Sequence, residues 1–259
     1  MTPLPSLFIS HGAPSIVTEP IAAHDFLTTL ADRLPKPHAI LSVSAHWETT
    51  NPTLSRDPNP ETVYDFYGFP KHLYDITYPA PGAPAVADNA AQLLRDADID
   101  ADVTDTRGFD HGTWTPLALA YPDADIPTAQ LSVQPDRPPL FHFKLGQALA
   151  PLRQQGILIL GSGALTHNLP AAFRHDHDTP PPWVMDFVDW VHDALVQGRV
   201  EDLVNYMETA PHGAQNHPTP EHFLPLFVAL GAASPDATAL RMHHSMDYGV
   251  LAMDMYQFT

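Results

Sequence analysis

The chain has 259 residues, 44% of them hydrophobic, which is enough for one large core, and its formal net charge of −18 sets it against nucleic acid and anionic membranes as partners. It has no cysteine, which excludes disulfides, thiolate metal sites and a cysteine nucleophile. No apolar window of about 18 residues is present to span a membrane, and Met-Thr-Pro-Leu-Pro-Ser lacks the basic stretch of a signal peptide, so a cytoplasmic protein is expected.

Leu7-Phe8-Ile9-Ser10 is a short apolar run that ends at His11-Gly12-Ala13-Pro14. The spacing of Phe26, Leu27, Leu30 and Leu34 predicts a helix over residues 22–34, closed off by Pro35 and Pro37. Residues 39–45 (Ala-Ile-Leu-Ser-Val-Ser-Ala) predict a second buried strand, which ends at His46-Trp47. Two strands around a helix read as a βαβ unit with parallel pairing, which brings His11 and His46 to one edge of a sheet.

Residues 51–84 are rich in proline and carry Tyr64, Phe66, Tyr67, Phe69, Tyr74 and Tyr78. Long loops inside a compact fold tend to be functional, so these rings read either as the wall of an aromatic site or as a lid packed on the core. A helix is predicted over residues 83–98 and a strand over 99–106, followed by the turn Arg107-Gly-Phe-Asp-His-Gly112. A helix-like stretch over 114–121 places His111 near a helix N-terminus. Residues 126–133 predict a strand and 138–155 a helix.

Ile157-Leu-Ile-Leu160 has no polar face and predicts a strand covered on both sides. Gly161-Ser162-Gly163 then reads as a sharp turn that lets the backbone approach a ligand, with His167 just outside the carboxyl end of the strand. An amphipathic helix follows over 180–196, a short one over 203–207, and an apolar helix over 222–230 with Thr219 as cap and Pro220 at its first position. Residues 240–259 predict two closing strands. The pattern is α/β: a single catalytic domain over residues 1–259, with a central, largely parallel or mixed sheet flanked by helices and the site at the carboxyl ends of the strands.

Sixteen histidines are the compositional anomaly. His11, His46 and His167 follow apolar runs, His111 precedes a helix, and His222 opens one. Each alone reads more readily as a structural or surface residue; His175, His177 and His192 lie in polar stretches and read as solvated. Three imidazoles, or two with a carboxylate, on separate elements form an open catalytic metal site.

Seven segments together resemble one family. They are Phe8-Ile-Ser-His-Gly-Ala-Pro-Ser, Ser42-Val-Ser-Ala-His-Trp, Tyr64-Asp-Phe-Tyr-Gly-Phe-Pro, Tyr78-Pro-Ala-Pro-Gly, Gly108-Phe-Asp-His-Gly-Thr-Trp, Gly161-Ser-Gly-Ala-Leu-Thr-His-Asn-Leu and Pro218-Thr-Pro-Glu-His-Phe-Leu-Pro-Leu. In this order they resemble the 4,5-DOPA extradiol dioxygenases, of the class III or LigB type.

The resemblance implies a metal held by His11, His46 and His222. Glu221 is the carboxylate rival for the third place, and His167 a possible fourth or replacement ligand. Fe(II) is implied for catalysis, with Zn(II) a tight-binding occupant of purified protein. The implied reaction is extradiol cleavage of a catechol with O2. His167 would act as acid/base with a pKa suited to neutral pH, and His111 would hydrogen-bond substrate or oxygen, oriented by Asp110 or a backbone carbonyl. Tyr64, Phe69, Tyr74 and Trp114 would contact the ring, and Arg107 would be available for a substrate carboxylate. The alternatives are a zinc hydrolase on the same histidines and a catalytically silent metal-binding homologue.

Overall fold

The computed structural model describes residues 3–174, 179–234 and 236–259. His175 and His177 lie outside them. The strands are β1 (Ser6–Ser10), β2 (Ala39–Glu48), β3 (Thr53–Ser55), β4 (Asp102–Thr104), β5 (Thr128–Val133), β6 (Ile157–Gly163), β7 (Ala239–His243), β8 (Met246–Asp247), β9 (Leu251–Ala252) and β10 (Met255–Phe258). Eight of them form one mixed sheet in the order β4-β3-β5-β2-β6-β1-β10-β7, while β8 and β9 pair separately. The α/β class with a mixed sheet is thus as the sequence predicts.

One pairing differs from that prediction. β1 and β2 are parallel but not neighbours: β6 lies between them and pairs with both. The insertion follows from burial. All seven residues of β6 are buried, so it needs a partner on each edge and cover on each face. The closing segment also differs, because β7 and β10 pair antiparallel while β8 and β9 form a hairpin of their own.

Ten helices accompany the strands among the described residues. They are α1 (Ala22–Thr28), α2 (Pro84–Asp96), α3 (His111–Ala120), α4 (Pro139–Leu149), α5 (Leu169–Ala172), α6 (Pro182–Val196), α7 (Val200–Val204), α8 (Tyr206–Thr209), α9 (Gly213–Asn216) and α10 (Leu224–Gly231). α10 is apolar on every side, and seven of its eight residues are buried. It lies so close to the sheet that an added Cβ on Gly161 would meet the Pro225 carbonyl at 2.3 Å, and one on Gly163 would meet the His222 carbonyl at 2.1 Å. Those glycines therefore do not make the predicted turn. They are extended residues of β6 that let the segment before α10 come into contact.

That segment departs from the sequence prediction too. α10 begins at Leu224 with no side-chain cap, and Thr219 donates instead to Glu221 Oε1 at 3.0 Å. His222 stands in the turn ahead of the helix. The short contact at Gly163 and the bond from Ala164 N–H to the His222 carbonyl (2.9 Å) fix it against the sheet edge.

Candidate active site

Three parallel neighbours, β1, β6 and β2, end at the same edge of the sheet. His11 follows β1 directly, and its N–H donates to the Gly163 carbonyl at the end of β6 (2.9 Å). His46 sits near the end of β2, within the stretch where pairing with β5 slips register. His111 is the first residue of α3, whose cap, Asp110, accepts from Thr113 N–H. Gly112 leaves room between them: a Cβ there would lie 3.1 Å from the His46 ring and 3.2 Å from the His11 ring.

The protons of these rings can be assigned from their partners. Ser162 donates its one hydroxyl hydrogen to the Gly112 carbonyl, so it must accept from His11 Nδ1–H at 3.0 Å. His222 Nδ1 faces Glu221 Oε1 at 2.9 Å, and a carboxylate can only accept. His46 Nδ1 faces Asp65 Oδ2 at 3.5 Å, and burial is outweighed there by contacts from His111, so Asp65 is held down at about 2 and charged. The protons of His11 and His222 therefore sit on Nδ1, and the charge of Asp65 favours the same tautomer for His46. Three bare Nε2 lone pairs remain, and they face one another.

His11 Nε2 and His46 Nε2 are 3.1 Å apart, and His46 Nε2 and His222 Nε2 are 3.3 Å apart. In that tautomer neither contact is a hydrogen bond, because no proton lies between the atoms. A shared cation resolves the conflict: metal–nitrogen bonds of about 2.1 Å put two ligands about 3.0 Å apart at a right angle and about 3.4 Å apart in a tetrahedron. Burial, and then the neighbouring imidazoles, hold His11, His46 and His222 well below the ordinary histidine value, so all three are neutral and fit to ligate. The residues fit a metal.

His167 is not part of this trio. Its ring lies flat over His222, with centroids 3.4 Å apart and planes 13° apart. The loop that carries it is laced to the segment before α10: His167 N–H donates to the Asn216 carbonyl (2.9 Å), and His217 Nε2–H donates to the Leu165 carbonyl (2.8 Å). Burial, then the neighbouring His111, lowers His167 to about 4, so it rests as a neutral base rather than poised near neutrality. His111 has a different partner from the one predicted. Asp65 Oδ1 accepts both its backbone N–H (2.9 Å) and its Nδ1–H (3.0 Å). Asp110 is fully buried and engaged by Ser44 and Arg107.

A cavity of about 370 Å³ opens above the five imidazoles. Phe66, Tyr67, Phe69, Leu169, Phe173, Leu251 and Met253 wall it, with Tyr248 held at a positive φ of 47°. Phe69 is among the lining residues. Tyr64, Tyr74 and Trp114 do not line the cavity. They contact Phe66 from behind and spend their polar atoms on the carbonyls of Ile76, Phe66 and Val63. Arg107 is likewise committed, to Asp110 (2.8 Å), to the His46 carbonyl (3.2 Å) and to the face of Trp47. His192, predicted to be solvated, packs against Tyr256, whose hydroxyl lies 3.3 Å from its Nδ1.

Sequence reading missed Asp65, Ser162 and the partner role of Glu221. Asp65 left one signal, a lone carboxylate in an aromatic run (Tyr64-Asp-Phe-Tyr).

A buried face of three neutral imidazoles, opening on an apolar cavity at the carboxyl edge of parallel strands, is the arrangement of an enzyme that uses one metal ion on a small molecule. Residues 6–258 match the family model described as the catalytic LigB subunit of aromatic ring-opening dioxygenase. The chain is 42% identical to the 4,5-DOPA dioxygenase extradiol of Beta vulgaris, over 98% of this chain and 96% of that one. It is 43% identical to the protein of that name from Escherichia coli K12, over 89% and 86%. The crystal structure of an uncharacterized protein from E. coli K12 superposes with a TM-score of 0.83 at 37% identity, covering 98% and 99%. The chain belongs to the LigB family of extradiol ring-opening dioxygenases. It is thus an oxidoreductase, which sets the hydrolase alternative aside.

Proposed function

We propose that the chain, acting as one catalytic unit over residues 1–259 in the cytoplasm, cleaves a catechol beside its diol with O2. His11, His46 and His222 would hold Fe(II), which when bound supplies the electron path between catecholate and O2. The observation that carries this reading is the convergence of three deprotonated Nε2 atoms, 3.1 and 3.3 Å apart, on the floor of an aromatic cavity.

Ionising a catechol releases two protons, and the cavity has two histidines outside the trio. His111 spends Nδ1–H on Asp65, so its Nε2 offers a lone pair and accepts from a diol hydroxyl. Asp65 then stabilises the imidazolium, as a carboxylate does for a catalytic histidine. His167 lies across the site on His222 and is placed to take the second proton. Its pKa, lowered to about 4, makes its protonated form a better proton donor than an ordinary imidazolium, suited to returning that proton as the oxygen–oxygen bond breaks. Phe66 and Phe69 shield the ring from water.

Zn(II) binds such donors more tightly than Fe(II), so the test begins with metal exchange. Protein stripped of metal is loaded anaerobically with Fe(II), given a catechol and exposed to air. Oxygen uptake and a yellow semialdehyde are the expected result. Absence of both across a catechol panel, with Fe(II) bound, would overturn the reading.

A further inference from the structure

We propose that Thr166 is a positioning residue for His167, tying the loop that carries this ring to the β8–β9 hairpin. This rests on the ring-cleavage reading and adds a residue to its machinery.

The His167 ring lies where ring stacking alone would not put it. Aromatic rings prefer an offset stack or an edge-to-face contact to a face-to-face sandwich. The centroids of His167 and His222 are 3.4 Å apart and their planes 13° apart, so the two rings overlap almost fully. The backbone must therefore hold the pair together, and the loop is gripped from both sides. On one side Ala164 N–H donates to the His222 carbonyl and His167 N–H to the Asn216 carbonyl, both at 2.9 Å. On the other side stands the hairpin.

Thr166 makes this second grip with one hydroxyl. Its Oγ1 accepts from Ala252 N–H (2.7 Å), and its O–H donates to the Val250 carbonyl (2.8 Å). Thr166, Val250 and Ala252 are each 1% exposed, so water does not stand in for the hydroxyl. The end of the hairpin is itself fixed. Met253 N–H donates to the Ser245 carbonyl (2.9 Å), and the Asp254 carbonyl accepts from Ser10 N–H (3.3 Å) and Ser10 Oγ–H (2.9 Å). Ser10 Oγ in turn accepts from Leu165 N–H at 3.0 Å. Leu165, Thr166 and His167 are thus tied in turn to β1, to the hairpin and to the segment before α10.

Valine has the shape of threonine without the hydroxyl. Thr166→Val leaves Ala252 N–H and the Val250 carbonyl unpaired in a dry place, and the loop must shift to bring them water. A shift of about 1 Å in a reacting group can cost about 10²-fold in rate. His222 keeps its own supports, Glu221 and Ala164 N–H, so the metal should stay.

The test follows the Fe(II) enzyme with DOPA and 4-ethylcatechol as substrates. Thr166→Val should lower kcat about 10- to 100-fold, with KM within about threefold and iron content unchanged. Thr166→Ser keeps the hydroxyl and should restore kcat to within about threefold of wild type. In a His167→Ala background, Thr166→Val should cost less than about threefold, because the ring to be positioned is gone. Equal losses in the two backgrounds would overturn the proposal, as would a serine variant as slow as the valine one. Hydrogen exchange of the wild-type protein needs neither turnover nor a folded variant. The amides of His167 and Ala252 should exchange within about tenfold of each other, as parts of one unit. A His167 amide at least about 100-fold faster would mean that the loop opens without the hairpin, and the proposal would fall. Failure of the wild type to cleave any catechol would count against the ring-cleavage reading, while the exchange result judges the tie by itself.

Discussion

The two walls of the cavity are held in opposite ways. On the sheet side, His11, His46, His111 and His222 each have one ring nitrogen fixed by a polar partner, namely Ser162, Asp65 (for two of them) and Glu221. On the far side, Tyr67 is 90% and Phe173 80% exposed, and Phe69 touches Phe66 edge-on, ring to ring. One wall is held by polar contacts to its rings; the other is a set of apolar surfaces that tolerate exchange. Chemistry is built into the first and choice of substrate into the second. Substitutions should therefore separate cleanly into those that abolish turnover and those that only re-rank substrates.

The largest effect belongs to the floor. His11→Ala removes one of three converging lone pairs, 3.1 Å from its neighbour, and should strip the protein of tightly bound iron. Activity should fall at least about 10³-fold, beyond the about 10- to 100-fold that loss of a ligand's partner costs. Metal analysis after dialysis checks it. Retained iron with full turnover would dissolve the distinction between the walls.

Next comes His167→Ala, for which we expect a loss of about 10²–10⁴ in kcat with iron retained. The pH profile adds a sign. His167 lies below its ordinary value, at about 4, so its basic form persists as pH falls through about 6.5 and is lost only nearer 4. The acid limb of kcat/KM should accordingly lie below the free-imidazole value. A limb at about 6.5 would mean that a different, solvated histidine carries the proton.

Asp65→Asn should be intermediate. One carboxylate serves both His46 and His111, so its neutral replacement weakens a ligand and a proton acceptor together. Iron affinity and kcat should each drop about 10- to 100-fold. Asp65→Glu, which restores the charge at a shifted position, should recover part of the loss.

The same division explains what could be read from the chain alone. His11, His46 and His167 were legible because apolar strands announce where the carboxyl edge of a sheet lies, and residues just past them must gather there. The insertion of β6 between β1 and β2 was not, because strand order depends on which faces find cover and not on order along the chain. Asp65 comes from a loop 46 residues before His111, and nothing local marks that meeting. Tyr64, Phe69, Tyr74 and Trp114 looked equivalent as aromatic residues. Only packing sorts Phe69 to the cavity and the other three behind Phe66.

Phe69→Ala gives the smallest effect and the sharpest check on the open wall. Phe69 is half-buried and rests against Phe66 with ring centroids 5.4 Å apart, so its loss takes away part of one apolar surface and no polar contact. Full burial of such a ring is worth about 1.5–3 kcal/mol, and a partial contact with substrate about 1 kcal/mol, or roughly fivefold in affinity. The loss should appear in KM for 4-ethylcatechol, with kcat and iron content unchanged, because the histidine wall has its own supports. If kcat fell as steeply as in Asp65→Asn, the ring would be holding Asp65 in place through Phe66, and the two walls would be one mechanical unit.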